Sequence, residues 1–243
     1  MTGDGTRTRP RLFPFPLSLF PLLAAVASLA AAGEVHRWKD AEGRVHYGDK
    51  PPPGAAAKAI AVPLAAPAKP NPEVKVEESV IRHYDISGAT LAELNMAARR
   101  AGPVSQATGA RVWGMCTWQI NWQYSTAGGQ GKCAVDKFSI KLSSILDLPR
   151  WTNRDAASGA LQAEWERFAA ALRQHEDGHK DNGVRAANDL AGRLRALPPE
   201  KTCAGLDAKI RALGERLMAE YRLLDQSYDR ATGHGTTQGV VLK

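Results

Sequence analysis

From Asp155 to Leu197 a single periodicity runs without a break. Leu161, Trp165, Phe168 and Leu172 are spaced by four, three and four, and the stripe continues through His175, His179, Ala186, Leu190, Leu194 and Leu197 up to Pro198-Pro199. At 100° per residue these positions fall within about 60° of one direction, which predicts one long helix over 155–197 with a single inward face. Whatever else the chain forms must cover that face. The stripe also carries two imidazoles into the interior.

Two histidines one turn apart in a core would each need a polar partner. A pair of hydrogen-bonded core histidines is the plain reading. A metal ion satisfies both at once, because side chains at i and i+4 lie about 6 Å apart at Cβ and can converge on zinc at about 2.0 Å. In "HEDGH", Glu176 follows the first histidine and flanks the same face. It would stand beside the fourth coordination position, where it can take a proton from bound water. His175 and His179 are therefore expected to hold one Zn2+ per chain, with Glu176 as general base. Gly178 weakens the helix by up to about 1 kcal/mol, and its bareness suggests the close approach of another backbone.

Catalytic zinc sites use three protein ligands and keep one position open. The extended pattern with a third histidine six residues on is missing, since Asn182 and Arg185 occupy the places of its glycine and histidine. Further along, Leu206, Ile210, Leu213, Leu217, Tyr221 and Leu224 form a second helical stripe, which is core. Glu215 and Glu220 read as charges on its solvated face. The chain then breaks at Gly233-His234-Gly235. A histidine between two glycines has little packing value, and the glycines let its backbone aim the ring inward. His234 is the expected third ligand, with Asp229 as the alternative. Tyr228 or Asp229 could also orient a ligand or donate to an oxyanion.

Upstream, Cys116, Trp118, Ile120, Trp122 and Tyr124 alternate with polar residues, a half-buried strand with one aromatic face. Core packing explains these tryptophans better than a sugar-binding platform. A Gly-rich loop over Ser125–Gly131 is expected to return the chain into a strand over Lys132–Leu142. With Tyr124 facing Lys132, Cys116 would lie opposite Ile140, on the order of 20 Å from Cys133 and out of disulfide reach. Cys203 must then pair with one of them. Cys133 is preferred, since Cys116 suits a small buried thiol in the aromatic face. Thr90 and Glu93 form a capping-box pair that opens a helix ending at Gly102-Pro103, and "EVKVEESVIRHYDI" before it reads as a strand.

Residues 1–32 read as a secretory signal peptide: Arg7, Arg9 and Arg11, then an apolar run ending in Ala30-Ala31-Ala32. Cleavage there leaves a periplasmic or secreted protein with no stable membrane insertion, an oxidising setting in which three cysteines imply one disulfide. Residues 33–53 predict a small β-hairpin around Asp40-Ala41-Glu42-Gly43, whose His36 and His46 are surface residues. Residues 54–72 are Pro/Ala-rich without periodicity, a semi-extended linker. The main domain spans 73–243. Residues 1–32 carry three Arg and one Asp, so the rest keeps +5 of the chain's formal +7. No basic run with interleaved aromatics argues for nucleic acid. Nothing in the sequence fixes the oligomeric state.

"DLPRW", Trp165 and Phe168 as W-x-x-F, "HEDGH", Cys203 and "YDRATGHGTTQG" together resemble a bacterial family of unknown function described as predicted secreted zinc-dependent proteases. The resemblance runs from about Glu73 to Val241. It implies a zincin-like arrangement in which His175, Glu176 and His179 match the motif and His234 the late histidine, with Cys133 and Cys203 as the usual pair. Cys116 departs from the pattern. "RWKDAEGRVHYGDKPP" resembles a small domain of unknown function found behind signal peptides in proteobacterial envelope proteins. The expected fold is α+β, an antiparallel-rich sheet packed on the long motif-bearing helix and a second C-terminal helix. The expected activity is a zinc metallohydrolase acting on peptide or protein substrates in the cell envelope. The alternatives are a non-catalytic zinc-containing binding or structural protein and a cell-wall amide hydrolase.

Overall fold

One strand is too long for any single partner, and the main sheet follows from that. The computed structural model describes residues 34–39, 45–48, 52–56, 58–61, 71–106 and 108–243. The expected signal peptide, the turn at 40–43 and most of the expected linker lie outside the described residues.

In chain order the elements are β1 (Glu34–Lys39), β2 (Val45–Gly48), β3 (Lys58–Ala61), β4 (Val74–Val76), β5 (Val80–Ile86), α1 (Leu91–Ala101), β6 (Met115–Gly129), β7 (Lys132–Trp151), α2 (Gly159–Arg195) and α3 (Cys203–Thr232). β1 and β2 form the expected hairpin, with His36 opposite Gly48 and Lys39 opposite Val45. β3, from the stretch read as linker, pairs antiparallel with the other edge of β1. A lone hairpin is marginal in water, and β3 turns it into a three-stranded sheet.

At 20 residues, β7 spans on the order of 65 Å. Along one edge it pairs antiparallel with β6, from Gly129↔Lys132 to Met115↔Asp147. Along the other edge two short strands lie in series, β4 at Ile140–Leu142 and β5 at Ile145–Trp151, both parallel to β7. The chain is α+β as expected, but two of the three pairings in this four-stranded sheet are parallel, which corrects the antiparallel-rich expectation. "EVKVEESVIRHYDI" also divides into two strands. Gly128 and Gly129 stay in the ladder, and only Gln130 and Gly131, with φ of 52° and 71°, make the turn. The register shifts accordingly: Tyr124 faces Phe138 and Cys116 faces Leu146.

Local signals set the helix ends. Thr90 Oγ1 accepts from the Glu93 amide and Glu93 Oε2 accepts from the Thr90 amide, completing the capping box of α1. α2 starts four residues later than expected, capped by Ser158 after a 3-10 turn at Arg154–Ala156. α3 runs to Thr232 and stops at the left-handed Gly233. α2 and α3 run antiparallel, as the facing pairs His175–Asp229, His179–Asp225 and Arg193–Glu220 show. The Cys133–Cys203 disulfide ties β7 to the start of α3, with Cα atoms 5.1 Å apart, and Cys116 is a free, partly buried thiol.

Two apolar cores lie along α2. Ile86, Leu94, Trp151, Trp165, Phe168 and Leu172 surround its first half. Ile140, Leu142, Leu190, Leu194, Ile210 and Leu217 surround its second half. The tryptophans of β6 are partly buried and pack against this second core, seated on helical glycines: a Cβ at Gly183 would meet Trp118 at 2.9 Å and one at Gly214 would meet Trp122 at 2.6 Å. Among the described residues no helix is long and apolar enough to cross a membrane.

Candidate metal centre

Between the two apolar cores the inward face of α2 turns polar. His175, Glu176, His179 and Asn182 are 4%, 3%, 9% and 5% exposed. Facing them on α3 are Asp225 and Asp229, also one turn apart. Asp229 Oδ1 lies 3.2 Å from His175 Nε2 and 3.1 Å from His179 Nε2. Donors bound at about 2.0 Å to a tetrahedral ion stand roughly 3.3 Å apart. These two edges are therefore already near the spacing zinc requires. His175, His179 and Asp229 each offer one ligand atom, all within 4.8 Å of one another.

The far side of each ring is held by its own partner. His175 Nδ1 is 2.8 Å from Gln238 Oε1, while the Gln238 amide nitrogen donates to the Tyr228 hydroxyl at 3.0 Å. The Gln238 oxygen can only accept, so it favours a proton on Nδ1, the tautomer that in a neutral ring leaves Nε2 free to bind an ion. Nε2 of the same ring is turned toward the Asp229 carboxylate, where a proton or a cation between the two satisfies both. His179 Nδ1 faces Asp225 Oδ1 at 3.2 Å. Asp225 is in turn fixed by the Trp118 indole N–H and the Asn182 amide, both at 2.7 Å. A carboxylate on the outer nitrogen of a ligating histidine fixes its tautomer and raises its basicity.

Burial disfavours charge on the His179 ring, but hydrogen bonds to Asp225 and Asp229 outweigh it and lift the pKa to about 10. Burial would likewise raise the Asp229 carboxyl; its hydrogen bonds to His175 and His179 win and hold it below the usual range. Without an ion, the two shifts thus favour a proton held between His179 and the carboxylates that face it. An ion at the same place would take over that role.

Glu176 sits under the start of β6. A Cβ at Gly114 would meet its Oε1 at 2.7 Å, so the carboxylate occupies the space a side chain there would fill. Burial raises its pKa, opposed by the two imidazoles and a hydrogen bond from the Cys116 backbone. Burial also raises the Cys116 thiol, leaving it protonated. Gly178 serves a side chain rather than the expected backbone: a Cβ there would meet the Tyr228 hydroxyl at 2.2 Å. The Tyr228 ring stacks on His175 at 5.1 Å and 12° and meets His179 edge-on at 5.0 Å.

Among the residues expected from sequence, His175, Glu176, His179, Asp229 and Tyr228 come together. His234 does not join the converging donors: its side chain is 60% exposed, with Nδ1 3.6 Å from Asp229 Oδ1. The third donor is Asp229, the alternative, because α3 continues through Thr232 and keeps Asp229 facing α2. The glycines do give His234 a left-handed backbone, φ 52°, and its exposed ring stands beside Asp229 at the rim of the cluster. Asp225, Asn182, Trp118 and Gln238 were not anticipated. The i, i+4 spacing of Asp225 and Asp229, matching that of the histidines, was the available signal.

A family model described as "Bacterial protein of unknown function (DUF922)" matches residues 81–235, and one described as "Domain of unknown function (DUF4124)" matches residues 22–75. No curated protein and no solved structure matches the chain. The first model contains both histidines, Glu176, Asp225, Asp229 and His234.

Proposed function

We propose that this chain, which belongs to the bacterial DUF922 family of proteins of unknown function, is a zincin-like, zinc-dependent peptidase of the cell envelope. One observation carries the reading: Nε2 of His175 and Nε2 of His179 converge on one oxygen of the Asp229 carboxylate, at 3.2 and 3.1 Å. Electron-pair donors converging inside a protein are costly unless a cation sits among them. Two imidazoles and one carboxylate are a donor set suited to catalytic zinc. Bound there, zinc supplies a Lewis acid and an acidified water.

The chain's own groups supply the rest. Gln238 and Asp225 keep the two rings in the metal-facing tautomer. Asp229, with 29% of its side chain exposed, is the most exposed of the three donors, which suits a substrate that reaches the centre from solvent. Glu176 is buried beside the imidazoles with a raised pKa, which suits a group that takes a proton from the attacking water and returns it to the leaving amine. Residues 1–32, read as an export signal, and the Cys133–Cys203 disulfide support an oxidising compartment.

Glu176→Gln tests the mechanism. The variant should bind zinc as the wild type does, while hydrolysis of a mixed peptide library falls by about 10²–10⁴-fold. Full activity in the variant would overturn the role of Glu176. Wild-type cleavage of cell-wall amides in place of peptides would change the substrate class and leave the site intact.

A further inference from the structure

We propose that Gly233–Val241 is a strap whose docking on α2 sets the metal affinity of the site, with Gln238 as the positioning residue of His175 and Arg167 as the clamp that holds Gln238 in place. The inference rests on the metal-centre reading above.

The strap folds back on itself through left-handed residues: φ is 56° at Gly233, 52° at His234, 82° at Gly235 and 97° at Gly239. It crosses directly over the first histidine. A Cβ at Gly235 would meet His175 Cγ at 3.0 Å and Val240 Cγ2 at 2.5 Å, so only glycine lets the strap lie on the ring. The crossing brings Gln238 Oε1 to 2.8 Å from His175 Nδ1. Tyr228, which packs on Gly178, receives the other end of the amide at 3.0 Å. The Gln238 side chain is thus held at both ends, and its oxygen selects the His175 tautomer that points a lone pair at the metal position.

The strap stays down because α2 grips it two turns upstream. Arg167 Nη1 donates to the Gly239 carbonyl at 3.0 Å and Nη2 to the Val241 carbonyl, on either side of Val240. Glu164 holds the guanidinium from behind at 2.6 and 3.1 Å and also accepts the Lys243 amide at 2.7 Å. Val240, 8% exposed, plugs into the apolar cluster of Phe168 and Leu172. Arg167 lies eight residues before His175, about 12 Å along the helix, and touches no metal donor. Its hydrogen bonds reach the site through the strap. The polar contacts of the clamp are solvent-exposed and contribute little to global stability, so its effect on metal affinity can be read apart from folding.

Zinc affinity of the full chain, measured by competition with a chromophoric chelator, tests this. Gln238→Ala should weaken zinc binding by about 10–100-fold. Gln238→Glu keeps an acceptor for the Nδ1 proton and should stay within a few-fold of wild type. Arg167→Ala should weaken binding by a smaller factor. The double variant Arg167→Ala/Gln238→Ala should be no weaker than Gln238→Ala alone, since the clamp acts through that residue. Wild-type affinity in Gln238→Ala, or independent multiplicative losses in the double variant, would overturn the strap proposal while the metal reading stands. A wild type that binds no zinc in the same assay would overturn the metal reading itself.

Discussion

Two stretches of α2 present the same face, equally buried, and do opposite things. From Val184 to Leu194 the inward residues are apolar, with Ala186, Ala187, Leu190 and Ala191 at 0% exposure and Leu194 at 1%. Within the three turns before it, His175, Glu176, His179 and Asn182 are nearly as deep and entirely polar. Each fully buried leucine in the first stretch contributes about 1.5–3 kcal/mol to folding. A buried polar group contributes only where a partner meets it, and costs stability where none does. The polar stretch exists because β6 sends Trp118, α3 sends Asp225 and Asp229, and the strap sends Gln238. Burial on this helix is thus of two kinds, one that drives folding and one that folding on either side sustains. Such inversions mark functional sites.

The largest contrast is expected at Asp229. Asp229→Ala should lower zinc affinity well beyond the roughly 10–100-fold that loss of an outer partner costs, whereas His234→Ala should leave it within a few-fold, both read by chelator competition. Equal losses would remove the distinction between a converging donor and an exposed neighbour. In the apolar stretch, Leu190→Ala should cost about 2–5 kcal/mol by urea unfolding with zinc stoichiometry unchanged; a loss of zinc there would tie the two stretches together. The smallest effects separate two glycines of the helix. At Gly178 a Cβ would meet the Tyr228 hydroxyl at 2.2 Å, while at Gly192 nothing lies within 4 Å. Gly178→Ala should therefore destabilise by about 1–3 kcal/mol and weaken zinc as Tyr228 moves. Gly192→Ala should stabilise by up to about 1 kcal/mol. Thermal melts of the two variants moving in the same direction would contradict that contrast.

Features encoded by near neighbours in the chain were readable from it. The α2 stripe, the Thr90–Glu93 capping box, the stop at Gly233 and the inward placement of His175 and His179 all follow from spacing within a turn or two. The Cys133–Cys203 pairing was reached although the hairpin register behind it was shifted, because Cys116 and Cys133 are far apart along the ladder in either register. What escaped depends on partners distant in sequence. Parallel pairing of β4 and β5 with β7 leaves no turn signal, since the connection passes through α1 and β6. The glycines of 128–131 suggested a wide loop, yet Gly128 and Gly129 are ladder residues. His234 drew attention through its flanking glycines, while Asp229 on a continuous helix looked ordinary. Gly178 was noticed as a bare position, but only the approach of α3 reveals that Tyr228 fills it. Gln238 is invisible without the left-handed turns that carry it back over His175.

Diffraction from zinc-loaded crystals of the full chain, with anomalous data collected at the zinc edge, examines the proposed centre most directly. The expected map shows one ion bonded to His175 Nε2, His179 Nε2 and an Asp229 oxygen, its fourth position unfilled by protein. No anomalous peak there at saturating zinc, an ion bonded to His234 in place of Asp229, or four protein ligands would each contradict it.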